Sequence, residues 1–237
     1  MANKYFQFKE FIIYQDQCGM KVGTDGVLLG AWANVSDSDY ILDIGTGTGL
    51  IAIMMAQRTS AKIDGVEIDQ AAYRQALQNV SECKWKDRIN LFNQSFQEFS
   101  KFQQEQYDRI ITNPPYFINA LKAPDEKRTH ARHDQYLNFD NILNGTKKLL
   151  KETGRLSLIL PFSEGMKFQE KAAAFDLFCI KKTYVKPLPG KEPKRLLMEF
   201  SFKKEPLTED YLIIENNKRH HYTKEYKELT KKFYLYF

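Results

Sequence analysis

The sequence predicts an α/β fold, a mostly parallel sheet with helices on both faces. Three observations predict it. From Tyr40 onward, short apolar runs that read as buried strands alternate with stretches of helical periodicity. The first run, Tyr40 to Ile44, enters a glycine turn and then a helix, the order of a unit that feeds a parallel sheet. The fourth, Tyr107 to Thr112, stops on Asn113-Pro114-Pro115-Tyr116, a turn that ends a strand.

At 237 residues, with 43% hydrophobic and 14% aromatic content, the chain fills one core. It reads as a single domain, 1–237, with an N-terminal arm and flap (1–39), a core of sheet and helices (40–203) and a C-terminal extension (204–237). Net charge is +5 and the pI near 8.9, an excess that favours a polyanionic partner. The excess is uneven: Lys181 to Arg195 carries six cations and one acid. Cys18, Cys83 and Cys179 form no CxxC pair, which suits a reducing, cytoplasmic setting. No apolar stretch approaches a membrane span, and the polar start is not a secretory signal. There is no internal repeat.

In chain order, Phe6 to Tyr14 alternates as a short strand or hairpin arm. Gly19 to Trp32 follows, in which Asp25 is placed to N-cap a short helix. Two readings stay open for this segment: a flap in which Lys21, Gly23, Thr24 and Asp25 face a polar ligand, or a capped entry helix. The strand Tyr40–Ile44 contains Asp43 and runs into Gly45-Thr46-Gly47-Thr48-Gly49. Glycines let backbone approach a ligand, and the N–H groups of the helix start point toward it. The spacing is not the G-x-G-x-x-G of a dinucleotide site. Asp43 would repel a diphosphate and suits an ammonium group. A ligand with an amino-acid end and a nucleoside end fits, and S-adenosylmethionine is such a ligand.

Lys62 to Asp69 is the second strand. Glu67 at its end is placed to accept ribose hydroxyls, with Ile68 beside it. Asp69 caps the helix from Gln70 to Cys83. After the third strand, Arg88 to Phe92, Ser95 and Phe96 are placed to edge and cover an adenine, or simply to form a polar turn. The fourth strand delivers Asn113-Pro-Pro-Tyr116. The Asn113 side-chain oxygen and the Pro114 carbonyl can accept both hydrogens of an amino group on a flat π system and direct its lone pair outward. The prolines hold these acceptors in place, and Tyr116 offers a stacking face. If the first and fourth strands flank the reversal of strand order, the glycine turn and this turn share one crevice.

Phe117 to Gln135 is a polar loop with Lys122, Lys127, Arg128, His130, Arg132 and His133, for which two readings stay open: a solvated loop, or a mobile lid that contacts phosphates. His130-x-x-His133 lacks partners of ligand pattern, and no metal is expected. Leu137 to Glu152 reads as a helix stopped by Gly154, and Gly154 to Pro161 as a fifth strand. A helix from Ser163 to Ala174 follows. Phe178 to Lys186 and Leu196 to Phe202 form a closing antiparallel hairpin whose basic tip includes Lys191, Lys194 and Arg195. Thr223 to Tyr236 reads as a C-terminal helix with core-facing aromatics at Tyr226, Phe233, Tyr234 and Phe237.

The set Asp43-x-Gly-x-Gly-x-Gly, Glu67 and Asn113-Pro-Pro-Tyr116 resembles class I S-adenosylmethionine-dependent methyltransferases that modify amino groups. Gly19 to Trp32, Ala131-Arg132-His133 and Tyr222-Thr223-Lys224-Glu225-Tyr226 with Phe233-Tyr234 resemble, within that group, the bacterial valine-tRNA adenine N6-methyltransferases. The resemblance implies a Rossmann-like, seven-stranded sheet with an antiparallel terminal hairpin. It implies methylation of N6 of adenosine 37 and an anticodon loop as partner of a monomer. Phe117, Arg128, Arg132, His133, Lys194 and Arg195 are then substrate contacts beside Tyr116. Ser95 departs from the family pattern, which has an acid there for the cofactor adenine. The rival readings are methylation of a glutamine amide, as in release-factor methyltransferases, and base methylation in ribosomal RNA or DNA. Only about forty residues precede the glycine motif, against a sizeable helical domain in the first rival.

Overall fold

The computed structural model describes residues 3–19, 21–115 and 137–236. Two short strands, β1 (Tyr5–Gln7) and β2 (Ile12–Tyr14), pair antiparallel as the expected arm. Helix α1 (Thr24–Trp32) leads to β3 (Tyr40–Ile44) and α2 (Leu50–Arg58). Then come β4 (Lys62–Glu67), α3 (Gln70–Glu82), β5 (Ile89–Asn93), α4 (Phe96–Phe102) and β6 (Tyr107–Thr112). The second half holds α5 (Phe139–Leu149), β7 (Leu150–Pro161), α6 (Phe162–Ala172), β8 (Phe178–Lys186), β9 (Arg195–Ser201), β10 (Thr208–Ile213) and α7 (Lys224–Thr230).

The main sheet runs β10-β8-β9-β7-β6-β3-β4-β5. It contains the seven expected strands and an eighth, β10, which pairs parallel to β8 at the edge in a stretch whose sequence pattern is uninformative. β9 is antiparallel to β7 and β8, as the closing hairpin requires. Buried residues form two apolar clusters, one holding Leu28, Ile53 and Ile63, the other Leu143, Phe168 and Phe200. This is how a sheet covered on both faces is stabilised.

Three local expectations are corrected. Asp25 does not cap α1: the helix starts at Thr24 with Gly23 as N-cap, without a side-chain bond, so Asp25 lies inside the first turn, and its carboxylate is engaged by Arg195. Gly154 does not stop a helix. α5 ends at Leu149, and the register of β7 against β6 shifts between Tyr107 and Arg109. Gly154 lies in that irregularity, where a Cβ would come 2.6 Å from Leu150 Cδ1. The C-terminal helix ends at Thr230, after which Phe233 turns into the core and its carbonyl accepts the Lys9 N–H at 2.8 Å. Asp69 does cap α3, accepting the Ala72 N–H at 2.7 Å. Tyr226 and Phe233 are buried.

Candidate active site

β3 runs on to β4 and β5 on one side, and the chain then crosses back to place β6 on the other. Strand order therefore reverses between β3 and β6, the place where open parallel sheets bind ligands. Both ends are tied together. β3 and β6 pair Ile44 with Thr112, and the Thr112 hydroxyl donates to the Ile44 carbonyl at 2.9 Å. Gly45 follows one and Asn113 the other.

The turn after β3 is built on glycines that Cβ-bearing residues replace only with strain. Gly45, Gly47 and Gly49 have φ of 69°, 57° and 81°, in the left-handed region. The Gly45 and Thr46 N–H groups donate to the Val66 carbonyl at 2.9 and 3.1 Å, anchoring the turn to β4. A Cβ on Gly45 would meet nothing within 4 Å, and on Gly47 only the Gly45 carbonyl at 3.9 Å, so backbone there is open to a ligand. Gly49 serves packing, since its Cβ would touch Ala76 of α3 at 3.5 Å.

Asp43 is fully buried. Its Oδ2 accepts the Thr46 hydroxyl at 2.6 Å and the Ala52 N–H at 3.2 Å, holding the turn and tying it to the first turn of α2. Its Oδ1 has no hydrogen-bond partner. Burial pushes the carboxyl up to about 7, Thr46 and Ala52 opposing and Glu67 adding a little. Glu67 is 9% exposed. Its Oε2 accepts the Gly47 N–H at 2.9 Å and its Oε1 the Asp69 N–H at 2.8 Å. Burial raises its carboxyl above the ordinary range, against those backbone donors. Ile68, next along, leaves an apolar side chain 49% exposed, and the Asn93 amide donates to the Glu67 and Ile68 carbonyls.

A cavity of about 490 Å³ lies between the glycine turn and the Asn-Pro-Pro turn; Asp43, Glu67 and Ile68 are not among its lining residues. Gly45 to Thr48 form one wall, Asn113, Pro114 and Pro115 another, and Lys21 to Gly26 a third, with Arg195 at the side. α1 packs directly on the Asn-Pro-Pro turn: a Cβ on Gly26 would sit 3.9 Å from Asn113 Nδ2 and 3.1 Å from Leu50 Cδ2. Pro114 is buried, Asn113 half-buried and Pro115 exposed.

Other expected residues lie elsewhere. The Ser95 hydroxyl donates to Glu98 Oε2 at 2.9 Å and accepts the Glu98 N–H at 3.2 Å, a capping box on α4. The Phe96 side chain, expected to cover an adenine, is 4% exposed and packs where Gly145 of α5 leaves room for it. Arg195 reaches inward to Asp25, Nε to Oδ2 2.8 Å, while Lys194 is exposed. Tyr116, Phe117, Arg128, Arg132 and His133 lie outside the described residues. No local pattern announces the Asp25–Arg195 pair, whose partners are separated by 170 positions. Among the described residues, no group of three or more His, Cys, Asp or Glu is placed to hold a metal, and no helix is long and apolar enough to cross a membrane.

Residues 22–168 match the family model of the methyltransferase small domain. A protein of Trichodesmium erythraeum named tRNA1(Val) (adenine(37)-N6)-methyltransferase is 49% identical over 238 aligned residues, covering 99% of each chain. The chain belongs to this methyltransferase family. The likeness of fold extends beyond the likeness of sequence. A predicted O-methyltransferase of Agrobacterium tumefaciens superposes with a TM-score of 0.70 at 19% identity, over 88% of this chain and 96% of that one. A glycopeptide N-methyltransferase solved with S-adenosylmethionine superposes at 0.54 and 11% identity, over 78% and 90%. In this methyltransferase the sheet reversal, the glycine turn and the Asn-Pro-Pro turn are thus one structural unit.

Proposed function

We propose that this chain transfers a methyl group from S-adenosylmethionine to N6 of an unpaired adenine in tRNA, adenosine 37 of a valine tRNA, and that it does so as a cytoplasmic monomer gripping the anticodon loop. The single observation that carries the reading is the shared cavity, in which the glycine turn and Asn113-Pro114-Pro115 face one space. The name of the Trichodesmium relative supports the choice of base and RNA.

The donor set fits the cofactor. The open backbone at Gly45 and Gly47 admits a close-lying ligand. Each Glu67 oxygen accepts one backbone N–H and keeps a lone pair for a ribose hydroxyl. Ile68 offers an apolar surface to a flat ring, and the buried Asp43 fixes the turn. When bound, S-adenosylmethionine supplies an already activated methyl group. What remains for the protein is positioning. Asn113 Oδ1 and the Pro114 carbonyl accept the two N6 hydrogens, which draws the nitrogen toward sp³ geometry. Tyr116 stacks on the base. An anticodon-loop adenine is unpaired enough to be splayed into the cavity, and basic residues around it hold the flanking backbone.

The test is incubation with labelled S-adenosylmethionine and total unmodified tRNA, followed by digestion to nucleosides. Label in N6-methyladenosine is expected. Label in protein, with none in RNA, would overturn the reading in favour of a glutamine amide.

A further inference from the structure

A second, larger cleft of about 900 Å³ opens beside the cavity just described. Val22, Gly23, Thr24, Asp25 and Arg195 line both, so the Asp25–Arg195 ion pair stands on the partition between them. The other walls come from distant parts of the chain: Phe6 of the N-terminal hairpin, Val185 and Pro187 at the end of β8, Lys194 at the entry to β9, Glu215 after β10, and the segment from His220 to Tyr236.

The surface chemistry of this cleft is specific. Tyr222 and Tyr226 are stacked, ring centroids 5.1 Å apart and planes at 23°. Tyr226 is buried and Tyr222 half-buried, which makes Tyr222 the outer ring. His220 lies edge-on to it at 6.4 Å. Tyr236 is 92% exposed at the rim, with the exposed cations Lys194 and Lys227 on the same lining. Two acids also line it, and both are engaged: Asp25 by Arg195, and Glu215 by the His220 backbone N–H at 2.8 Å. Aromatic faces interleaved with cations are the surface that unpaired nucleotides occupy, the rings stacking bases and the cations meeting phosphates. The volume lies within the range, roughly 300–1,000 Å³, of sites that enclose small organic groups. A base entering the first cavity brings its chain neighbours to the partition, on whose other side the second cleft lies.

We propose that this cleft is a nucleotide subsite that seats the unpaired nucleoside adjoining the methylated one. The base of that nucleoside lies against Tyr222 and Tyr236, and its phosphate lies on Lys194 and Lys227. The inference rests on the tRNA reading and extends it to a second binding position.

The full-length protein and an unmodified valine tRNA transcript provide the test. Lys227 and Tyr236 are exposed and outside the catalytic cavity, so Lys227→Ala combined with Tyr236→Ala should leave the melting temperature and S-adenosylmethionine affinity unchanged. The KM for tRNA should rise at least tenfold while kcat stays within twofold. Methylation by the wild type with an unchanged KM in the double variant would overturn this inference alone. Failure of the wild type to methylate tRNA would overturn the tRNA reading and the inference with it. An independent measurement on the wild type uses 4-thiouridine placed next to the target adenosine. Crosslinks within residues 218–236 are expected, and crosslinks confined to other segments would overturn the subsite.

Discussion

The Glu67 carboxylate accepts the Gly47 backbone N–H at 2.9 Å, so the acid that ends β4 clamps the turn that follows β3. The other oxygen accepts the Asp69 N–H at 2.8 Å. One side chain therefore ties the end of β4 to the turn after β3. That is preorganisation of the kind that reduces the cost of binding.

Removing this clamp should weaken the cofactor before it affects the fold. Glu67→Ala is expected to raise the Kd for S-adenosylmethionine at least tenfold, about 1.4 kcal/mol. Glu67→Gln should be intermediate, because its amide nitrogen faces one of two N–H donors and only one of them keeps an acceptor. Calorimetric titration reads both, and unaltered affinity in the alanine variant would take Glu67 out of the cofactor site.

Gly47 and Gly49 separate ligand approach from packing. Alanine at either position is held in left-handed backbone, a strain of about 1–2 kcal/mol. The added methyl at Gly47 faces open cavity, whereas at Gly49 it touches Ala76 at 3.5 Å. Both variants should melt earlier, but only Gly47→Ala should also lose cofactor affinity. Equal affinity losses in the two would refute the division.

Asp43 makes the cofactor-free protein pH-sensitive. Its carboxyl sits at about 7 when folded, against an ordinary value of 3.8. Between those limits the folded state holds a proton that the unfolded state gives up. The stabilisation is therefore present at the acidic end and is lost as pH rises toward 7, by up to about 1.4 kcal/mol per unit. Urea midpoints of the wild type should fall relative to Asp43→Asn between pH 5 and 7.5. Parallel curves for the two proteins would show that Asp43 does not titrate in that window.

The parts of the site legible in the sequence are those set by local geometry. A glycine turn after an apolar strand, an acid at the end of the next strand and a proline-braced asparagine each announce a backbone shape within a few residues. The crossing of β3 and β6 followed from how βα units stack. Contacts between distant segments were not legible. Asp25 is of a residue type that caps helices, yet the helix starts ahead of it at Thr24 and an arginine on a distant strand takes its carboxylate. Phe96 has the position of a base-covering ring, yet Gly145 leaves a hollow in the core that receives it. β10 lies in a polar stretch, with five of its six residues outside the core, so its pairing with β8 leaves little periodicity to read.

Asn113 carries the chemistry in the proposed mechanism, and Glu67 and the glycine turn carry the proposed cofactor contacts. Its amide lies beside the first turn of α1, and the next residue, Pro114, is buried, so the acceptor is fixed without help from substrate. Glu67 and the glycine turn, which are placed to hold the cofactor, sit on the neighbouring strands β4 and β3. Asn113→Ala should therefore lower kcat by about 10²–10³-fold, the scale for losing one preorganised hydrogen-bonding group aimed at the reacting centre. Cofactor affinity should stay within a few fold, and the melting temperature should change little because the side chain is half-exposed. Asn113→Asp keeps the acceptors but adds a charge and should recover part of the rate. Single-turnover methylation of tRNA, with calorimetry on the same samples, checks all three proteins. A rate near wild type in the alanine variant would mean that some other group accepts the amino hydrogens, and the shared cavity would then be only a binding site.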